Sequence, residues 1–293
     1  MTNKKIKTAR LSIFSNLFLI ILKLATGILT ASVSILSEAI HSSIDLIASA
    51  IAYFAVKASS KAPDKRHPYG HGKFENISGV IEGLLIFVAA FWIIYEAIHK
   101  MFNPSEIKHF QLAILVMFIS AVVNFFVSKR LYKVAKETDS IALEADALHL
   151  KTDIYSSIGV GLGMVFIWIT GWHFFDPIFA IVVALFIMKE SYNLVKTAFS
   201  PLLDSQVSEE EYGELSQIIS EFSIKNKLEY SHLRSRRSGS VHFIDFTLIV
   251  NPEISVKESH SICDSLEEII KSEYLDTDIS IHVEPKVLNS NTI

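Results

Sequence analysis

The chain has 293 residues, 50% of them hydrophobic and 20 of them Phe, with a mean hydropathy of +0.37. A composition this apolar, and this unevenly spread, excludes an ordinary soluble domain and points to an integral membrane protein. The formal net charge of -4 excludes little because basic and acidic residues are segregated along the chain, whereas the single Cys263 excludes an intrachain disulfide and a thiolate metal cluster.

The N-terminal MTNKKIKTAR and the apolar run behind it have the charge pattern of a signal peptide. The run is long enough to span, and no A-x-A-like site follows, so a first membrane span is expected there. Six stretches approach the roughly 20 residues that a hydrocarbon core requires, near 10–30, 34–58, 77–101, 110–132, 142–170 and 175–198. Lys4, Lys5, Lys7 and Arg10 precede the first. Lys57, Lys61, Lys65, Arg66 and Lys73 fall between the second and third, and Lys129, Arg130, Lys133 and Lys136 between the fourth and fifth. The alternate loops hold almost no basic residues, which places both termini in the cytoplasm.

Composition changes after Ser200-Pro201. Ser208 with Glu211 three residues on has a capping-box pattern, and Tyr212, Leu215, Ile219 and Phe222 follow at helical spacing. Residues 229–237 and 241–250 read as strands around a Ser238-Gly239 turn, 256–273 as a second amphipathic helix and 279–284 as a last strand. The expected fold is therefore a six-helix transmembrane bundle over 1–203. A small α+β cytoplasmic domain over 204–293 follows, ordered α-β-β-α-β, of ferredoxin or metallochaperone type, with two helices on one face of a sheet.

Charged residues inside the spans cost a few kcal/mol or more and by default mark function. The second span carries Glu38, His41 and Asp45; the fifth carries His149 and Asp153. Both contain His-x-x-x-Asp, a spacing that places imidazole and carboxylate on one helix face, one turn apart. Two such helices packed face to face would gather two nitrogens and two oxygens, a donor set suited to a tetrahedral divalent ion, zinc above all. The alternative is a pair of buried hydrogen-bonded contacts holding helices together. Glu82, Glu96 and Lys23 repeat nothing and read as packing or interfacial groups, Lys23 long enough to snorkel. The loop APDKRHPYGHGKFE offers Asp64, His67 and His71, as metal ligands or as incidental members of a solvated basic loop. In the cytoplasmic domain His282 and Glu284 share one strand face; His232 and His260, from the first strand and the second helix, are further candidates, though scattered surface histidines would look the same.

HSSID in the second span, HLKTD in the fifth, the loop DKRHPYGHGKFE, six spans and a terminal domain with LRSRRSG and IHVEP together resemble the cation diffusion facilitator family, nearest its bacterial zinc and iron efflux branch. The resemblance covers nearly the whole chain. It implies a homodimeric antiporter that expels divalent metal from the cytoplasm in exchange for protons. His41, Asp45, His149 and Asp153 match the transport site, and Asp64, His67 and His71 the loop site. His232, His260, His282 and Glu284 match the cytoplasmic site at the dimer interface, and Lys73 with Asp204 an interlocking salt bridge. Zn2+ is then both cargo and regulator, with iron, cobalt, cadmium or manganese as alternative cargo. His41 in place of the aspartate common in broad-range relatives favours zinc. Thr247 stands where a histidine ligand is expected on the second strand; Asp245 shares its face and His242 does not, so one cytoplasmic metal, or one with a weak second, is expected in place of two.

The partners expected are a second copy of the chain, the metal, protons and the lipid bilayer, with no nucleic acid, in a bacterial inner membrane. An intramembrane metalloprotease would want His-Glu-x-x-His on one helix, which is absent. A membrane-anchored zinc sensor without transport shares the terminal-domain features but leaves the intramembrane pairs unexplained.

Overall fold

The computed structural model describes residues 2–30, 33–102, 110–170, 175–274 and 276–286. The chain forms two compact units, Met1–Phe199 and Ser200–Ile293.

The first unit contains six long helices, α1 (Thr2–Thr30), α2 (Val33–Ser59), α3 (Lys73–Phe102), α4 (Phe110–Thr138), α5 (Ile141–Thr170) and α6 (Phe175–Phe199). At 25 to 30 residues each, all exceed the length needed to cross a hydrocarbon core. Among the described residues, Asn3–Thr26 and Lys73–His99 are long and apolar enough to cross a membrane by length and composition. Outward faces carry large apolar side chains such as Phe14, Phe18, Leu84, Val88 and Phe91, which lipid tolerates as water would not. Several helices run further than the apolar stretches do. α1 begins at Thr2 and α4 continues to Thr138, because a helix continues past the hydrocarbon edge wherever its polar turns find partners.

Those partners define one end of the bundle. Glu75, at the start of α3, is 1% exposed. It accepts hydrogen bonds from Lys5 Nζ of α1 at 3.2 Å, from Ser59 Oγ at the end of α2 at 2.7 Å, and from Ser140 just before α5. Lys4 pairs with Glu137 near the end of α4, and Asn76 Nδ2 of α3 donates to the Ala198 carbonyl near the end of α6 at 3.3 Å. The first turns of α1, α3 and α5 and the last turns of α2, α4 and α6 therefore lie together, at the end where the chain leaves α6. Gly83 lets α3 approach α6 closely: a Cβ there would stand 2.6 Å from Val195 Cγ2.

The second unit opens with a 3-10 turn, Ser200–Leu203, followed by α7 (Glu209–Asn226), β1 (Glu229–Ser238), β2 (Val241–Val250), α8 (Val256–Glu273) and β3 (Thr277–Pro285). β2 lies between β1, antiparallel to it, and β3, parallel to it. The β1–β2 turn uses Gly239 at φ 60°, a conformation glycine adopts without a Cβ penalty. Alternate residues of β2 (Ile244, Phe246, Leu248, Val250) pack against Leu215 and Ile219 of α7 and Cys263, Leu266 and Ile270 of α8, so both helices cover one sheet face. The capping box expected at Ser208 forms only in half. Ser208 Oγ accepts from the Glu211 N–H, but the Glu211 carboxylate is held by Arg237 at 2.8 Å and His242 at 3.0 Å. A complete box stands instead at α8, between Ser255 and Glu258.

Candidate metal sites

Inside the bundle, α2 and α5 bring together Asp45, His149 and Asp153, each offering a ligand atom within 4.8 Å of the others. His149 Nε2 is 3.0 Å from Asp45 Oδ1, and both side chains are buried. Asn124 Nδ2 of α4 donates to Asp153 Oδ2 at 3.4 Å, and Asn16 Nδ2 of α1 donates to the Asp45 carbonyl at 3.4 Å, so two further helices steady the set. His41 lies on α2 one turn before Asp45, but its side chain is outside the described residues. Lys23 does not snorkel. It is 6% exposed and donates to Ser42 Oγ at 2.7 Å, beside the His41 position, because burial here comes with a hydrogen-bond acceptor. Glu82 is likewise not interfacial: it is fully buried on α3 and accepts from Ser78 Oγ at 3.0 Å. The Glu96 side chain lies outside the described residues.

The loop between α2 and α3 gathers Asp64, His67 and His71 on the same criterion. Asp64 Oδ1 accepts the backbone N–H groups of Arg66 and His67, both at 2.8 Å, and stands 3.3 Å from His67 Nδ1, while Oδ2 stands 3.4 Å from His71 Nε2. The backbone N–H groups of His67 and then Arg66 hold the Asp64 carboxyl below the usual aspartate range. Gly70, at φ +83°, supplies the left-handed residue that turns the chain back. His71 then packs against Phe74 with rings nearly parallel, at 6.1 Å between centroids. The set is accessible from outside, since Asp64 and His67 are about half exposed, and only His71 is buried. It combines two imidazoles and a carboxylate, a donor set divalent metals accept.

The cytoplasmic residues are not brought together within one chain: among the described residues, only the two groups above converge. His282 Nε2 lies 3.4 Å from Glu284 Oε1 on β3, and His260 Nε2 lies 3.8 Å from Asp264 Oδ1 on α8, all four well exposed. His232 occupies the irregularity in the β1–β2 register at φ 55°. Thr247 is in register with His282 on one side and Ser231 on the other, on the sheet face away from the helices. His242 is on the helix face against Glu211 and the Tyr274 ring, and so is not a substitute ligand on the Thr247 face. Asp204 accepts from Arg236 Nη1 at 3.2 Å, and Lys73 opens α3.

Residues 9–203 match the family of the cation efflux transmembrane domain. The chain belongs to the cation efflux, or cation diffusion facilitator, family. Residues 207–286 match the family's cytoplasmic, dimerisation domain. An uncharacterized transporter of Synechocystis sp. is 30% identical across 94% of this chain and 89% of its own length. The cation-efflux pump FieF of Shewanella oneidensis is 28% identical across 97% and 95%, and the manganese efflux system protein MneP of Bacillus subtilis 28% identical across 95% and 95%. A solved structure of CzrB is 31% identical, covering 28% of this chain and 99% of that one, with a TM-score of 0.27. The protein is thus an integral membrane divalent cation efflux transporter with a cytoplasmic C-terminal domain, and not an enzyme.

Two buried carboxylates near the intramembrane set escape a search by His-x-x-x-Asp spacing. Asp146 precedes His149 by three residues, so Asp146, His149 and Asp153 form one helical stripe that a helical projection would reveal. Glu82 lies on a different helix and has no such partner.

Proposed function

We propose that this cation efflux protein exports zinc from the cytoplasm in exchange for protons, from the inner membrane of a bacterium. His41, Asp45, His149 and Asp153 hold the carried ion. The observation that carries this reading is the convergence of buried Asp45 and His149 with part-buried Asp153 between α2 and α5, with His41 one turn from Asp45. Binding requires neutral imidazole and ionised carboxylate, so loading metal expels protons and reprotonation expels metal. One set of side chains thereby exchanges the two without a separate proton wire. α2 and α5 tilt with their neighbours to open the set alternately, and the bundle end tied by Glu75 faces the cytoplasm, with the N-terminus on that side.

Zinc is favoured because two imidazoles and two carboxylates suit a borderline-soft tetrahedral ion. The oxygen ligands Asp45 and Asp153, together with the name of the Bacillus subtilis relative, make manganese the second reading. Asp64, His67 and His71 hold a second, solvent-accessible metal. The cytoplasmic domains pair in a homodimer, where His232, His260, His282 and Glu284 hold a regulatory zinc, with Thr247 limiting the site to one ion. Lys73 and Asp204 steady the dimer at the membrane surface.

Zinc flux into proteoliposomes under an imposed pH gradient tests the reading. Flux should follow the gradient in the native protein and cease in Asp45→Ala of unchanged fold. Gradient-independent flux, or flux that survives the substitution, overturns it.

A further inference from the structure

The outer surface where α1 passes α4 carries charge that neither the intramembrane set nor the loop set uses. At the end tied by Glu75, Lys4 of α1 pairs with Glu137 of α4. From Lys4 onward, Lys7, Leu11, Phe14 and Phe18 recur three or four places apart, so these exposed side chains share one stripe of α1. From Glu137 back along α4, Lys133, Arg130, Phe126 and Val122 recur in the same way, and all are exposed. The two stripes start from one ion pair. Behind them the helices pack together through Ala9 of α1 and Val127, Leu131 and Val134 of α4.

α1 leaves the Lys4–Glu137 pair along the path by which α4 arrives, so residues of the two helices can be matched by height. At about 1.5 Å per residue, Lys7 stands about 4.5 Å above the pair, Lys133 about 6 Å, and Arg130 and Leu11 both about 10.5 Å. Phe14 follows at about 15 Å and Phe126 at about 16.5 Å. The seam is therefore basic at its foot and apolar above, and both helices make the change within one turn of each other. Packed helices run about 8–10 Å apart, a gap that Lys7 from one side and Arg130 and Lys133 from the other can close around one phosphate. Glu137 is the carboxylate on the two stripes, and Lys4 already occupies it. The positive-inside bias requires only a number of Lys and Arg on one side of the membrane. It does not require that they fall on two adjoining stripes beneath exposed apolar side chains.

We propose that the α1–α4 seam binds an anionic phospholipid, its phosphate held between Lys7 of α1 and Arg130 and Lys133 of α4 and its acyl chains laid over Leu11, Phe14 and Phe126. Charge complementarity selects this occupant. A basic foot beneath an apolar ridge matches an anionic headgroup joined to acyl chains, and each Lys or Arg near such a headgroup strengthens the attraction about fivefold. A lipid held in this way bridges α1 to α4 beside the Lys4–Glu137 pair. The proposal takes from the transport reading only its orientation, which places the seam in the cytoplasmic leaflet.

The test is native mass spectrometry of the full-length protein in dodecyl maltoside, titrated with dioleoyl phosphatidylglycerol or with dioleoyl phosphatidylcholine. The native protein should retain the anionic lipid about tenfold or more over the zwitterionic one. Lys7→Gln with Arg130→Gln should remove most of that preference. Lys189→Gln with Lys196→Gln removes the same charge from exposed positions of α6 and should change the preference less than about twofold. Equal losses in the two double variants would mean diffuse attraction to any basic surface and would overturn the site, as would a native protein without preference. Retention by the monomer but not by the dimer would show a second copy covering the seam, and that too overturns it. If the neutral double variant fails to fold, acetylation of the native protein by N-hydroxysuccinimide acetate decides. Phosphatidylglycerol should shield Lys7 and Lys133 but not Lys189 or Lys196, and equal labelling of all four overturns the proposal. Neither readout uses zinc, so flux surviving in Asp45→Ala sinks the transport reading without touching the lipid site.

Discussion

His149 Nε2 stands 3.0 Å from Asp45 Oδ1, an approach between α5 and α2 made by residues 104 positions apart in sequence. The contact is buried, so each group helps to compensate the other in the absence of cargo. Removing the imidazole by His149→Ala should weaken zinc binding by about a hundredfold. Asn124→Ala, which leaves every ligand in place and only releases Asp153, should cost about tenfold. Isothermal titration of the purified protein with zinc measures both, and equal losses would mean that Asn124 does more than orient a ligand.

His41→Asp makes the set richer in oxygen and therefore harder. Transport of manganese or cadmium relative to zinc should rise. Competition flux with metals in pairs reads the ratio directly, and an unchanged ratio would remove His41 from the account of selectivity.

Asp64 provides a pH prediction. Its carboxyl is held below the ordinary aspartate range, chiefly by the His67 and Arg66 N–H groups, so its folded pKa lies under its unfolded one. Its contribution to loop order is then fully present above the unfolded value and is lost as pH falls through the folded one. NMR titration of the Asp64 side chain should give a midpoint below the ordinary aspartate value. Asp64→Asn should loosen the turn at all pH values above it, seen as faster amide exchange at Arg66 and His67.

Glu75 ties α1, α2, α3 and the start of α5 through Lys5, Ser59 and Ser140. Glu75→Gln removes the buried carboxylate that Lys5, Ser59 and Ser140 all address, a loss of about 3–5 kcal/mol. Thermal unfolding in detergent should shift accordingly, and an unchanged midpoint would show that Glu75 does not tie these helices.

Gly83 has no room for a side chain, since its Cβ would stand 2.6 Å from Val195 Cγ2. Gly83→Ala should cost about 1–3 kcal/mol by overpacking α3 against α6. Val195→Ala in the same protein should restore part of it, and an additive double variant would show that the two residues do not meet.

Much of this fold is legible because apolar period and turn chemistry speak locally. The Ser238-Gly239 stretch and the alternation in ISIHVE mark strands within two residues of where they lie. The polar ends of α1 and α4 are not legible, since a hydropathy reading stops where Lys and Glu begin and knows nothing of Lys4 meeting Glu137. Glu211 shows the same limit from the other side: its spacing to Ser208 is correct for a capping box, but Arg237 and His242 compete for the carboxylate across the sheet. Of the residues in the recurring His-x-x-x-Asp, Asp45, His149 and Asp153 converge between α2 and α5. Asp146 carries no mark in the sequence and Glu82 repeats no spacing there, because only packing reveals which carboxyl oxygens have lost their water.

Cys263, the chain's single thiol, lies on the sheet-facing side of α8 at 7% exposure, and burial together with Glu267 and Asp264 pushes its pKa upward. A protonated, covered sulfur reacts slowly with thiol reagents. The native protein is therefore close to silent toward maleimide and methanethiosulfonate probes. One introduced surface cysteine can be labelled selectively at short exposure without first deleting a native one, which makes this transporter a convenient scaffold for spin-label and fluorescence distance work in a lipid bilayer.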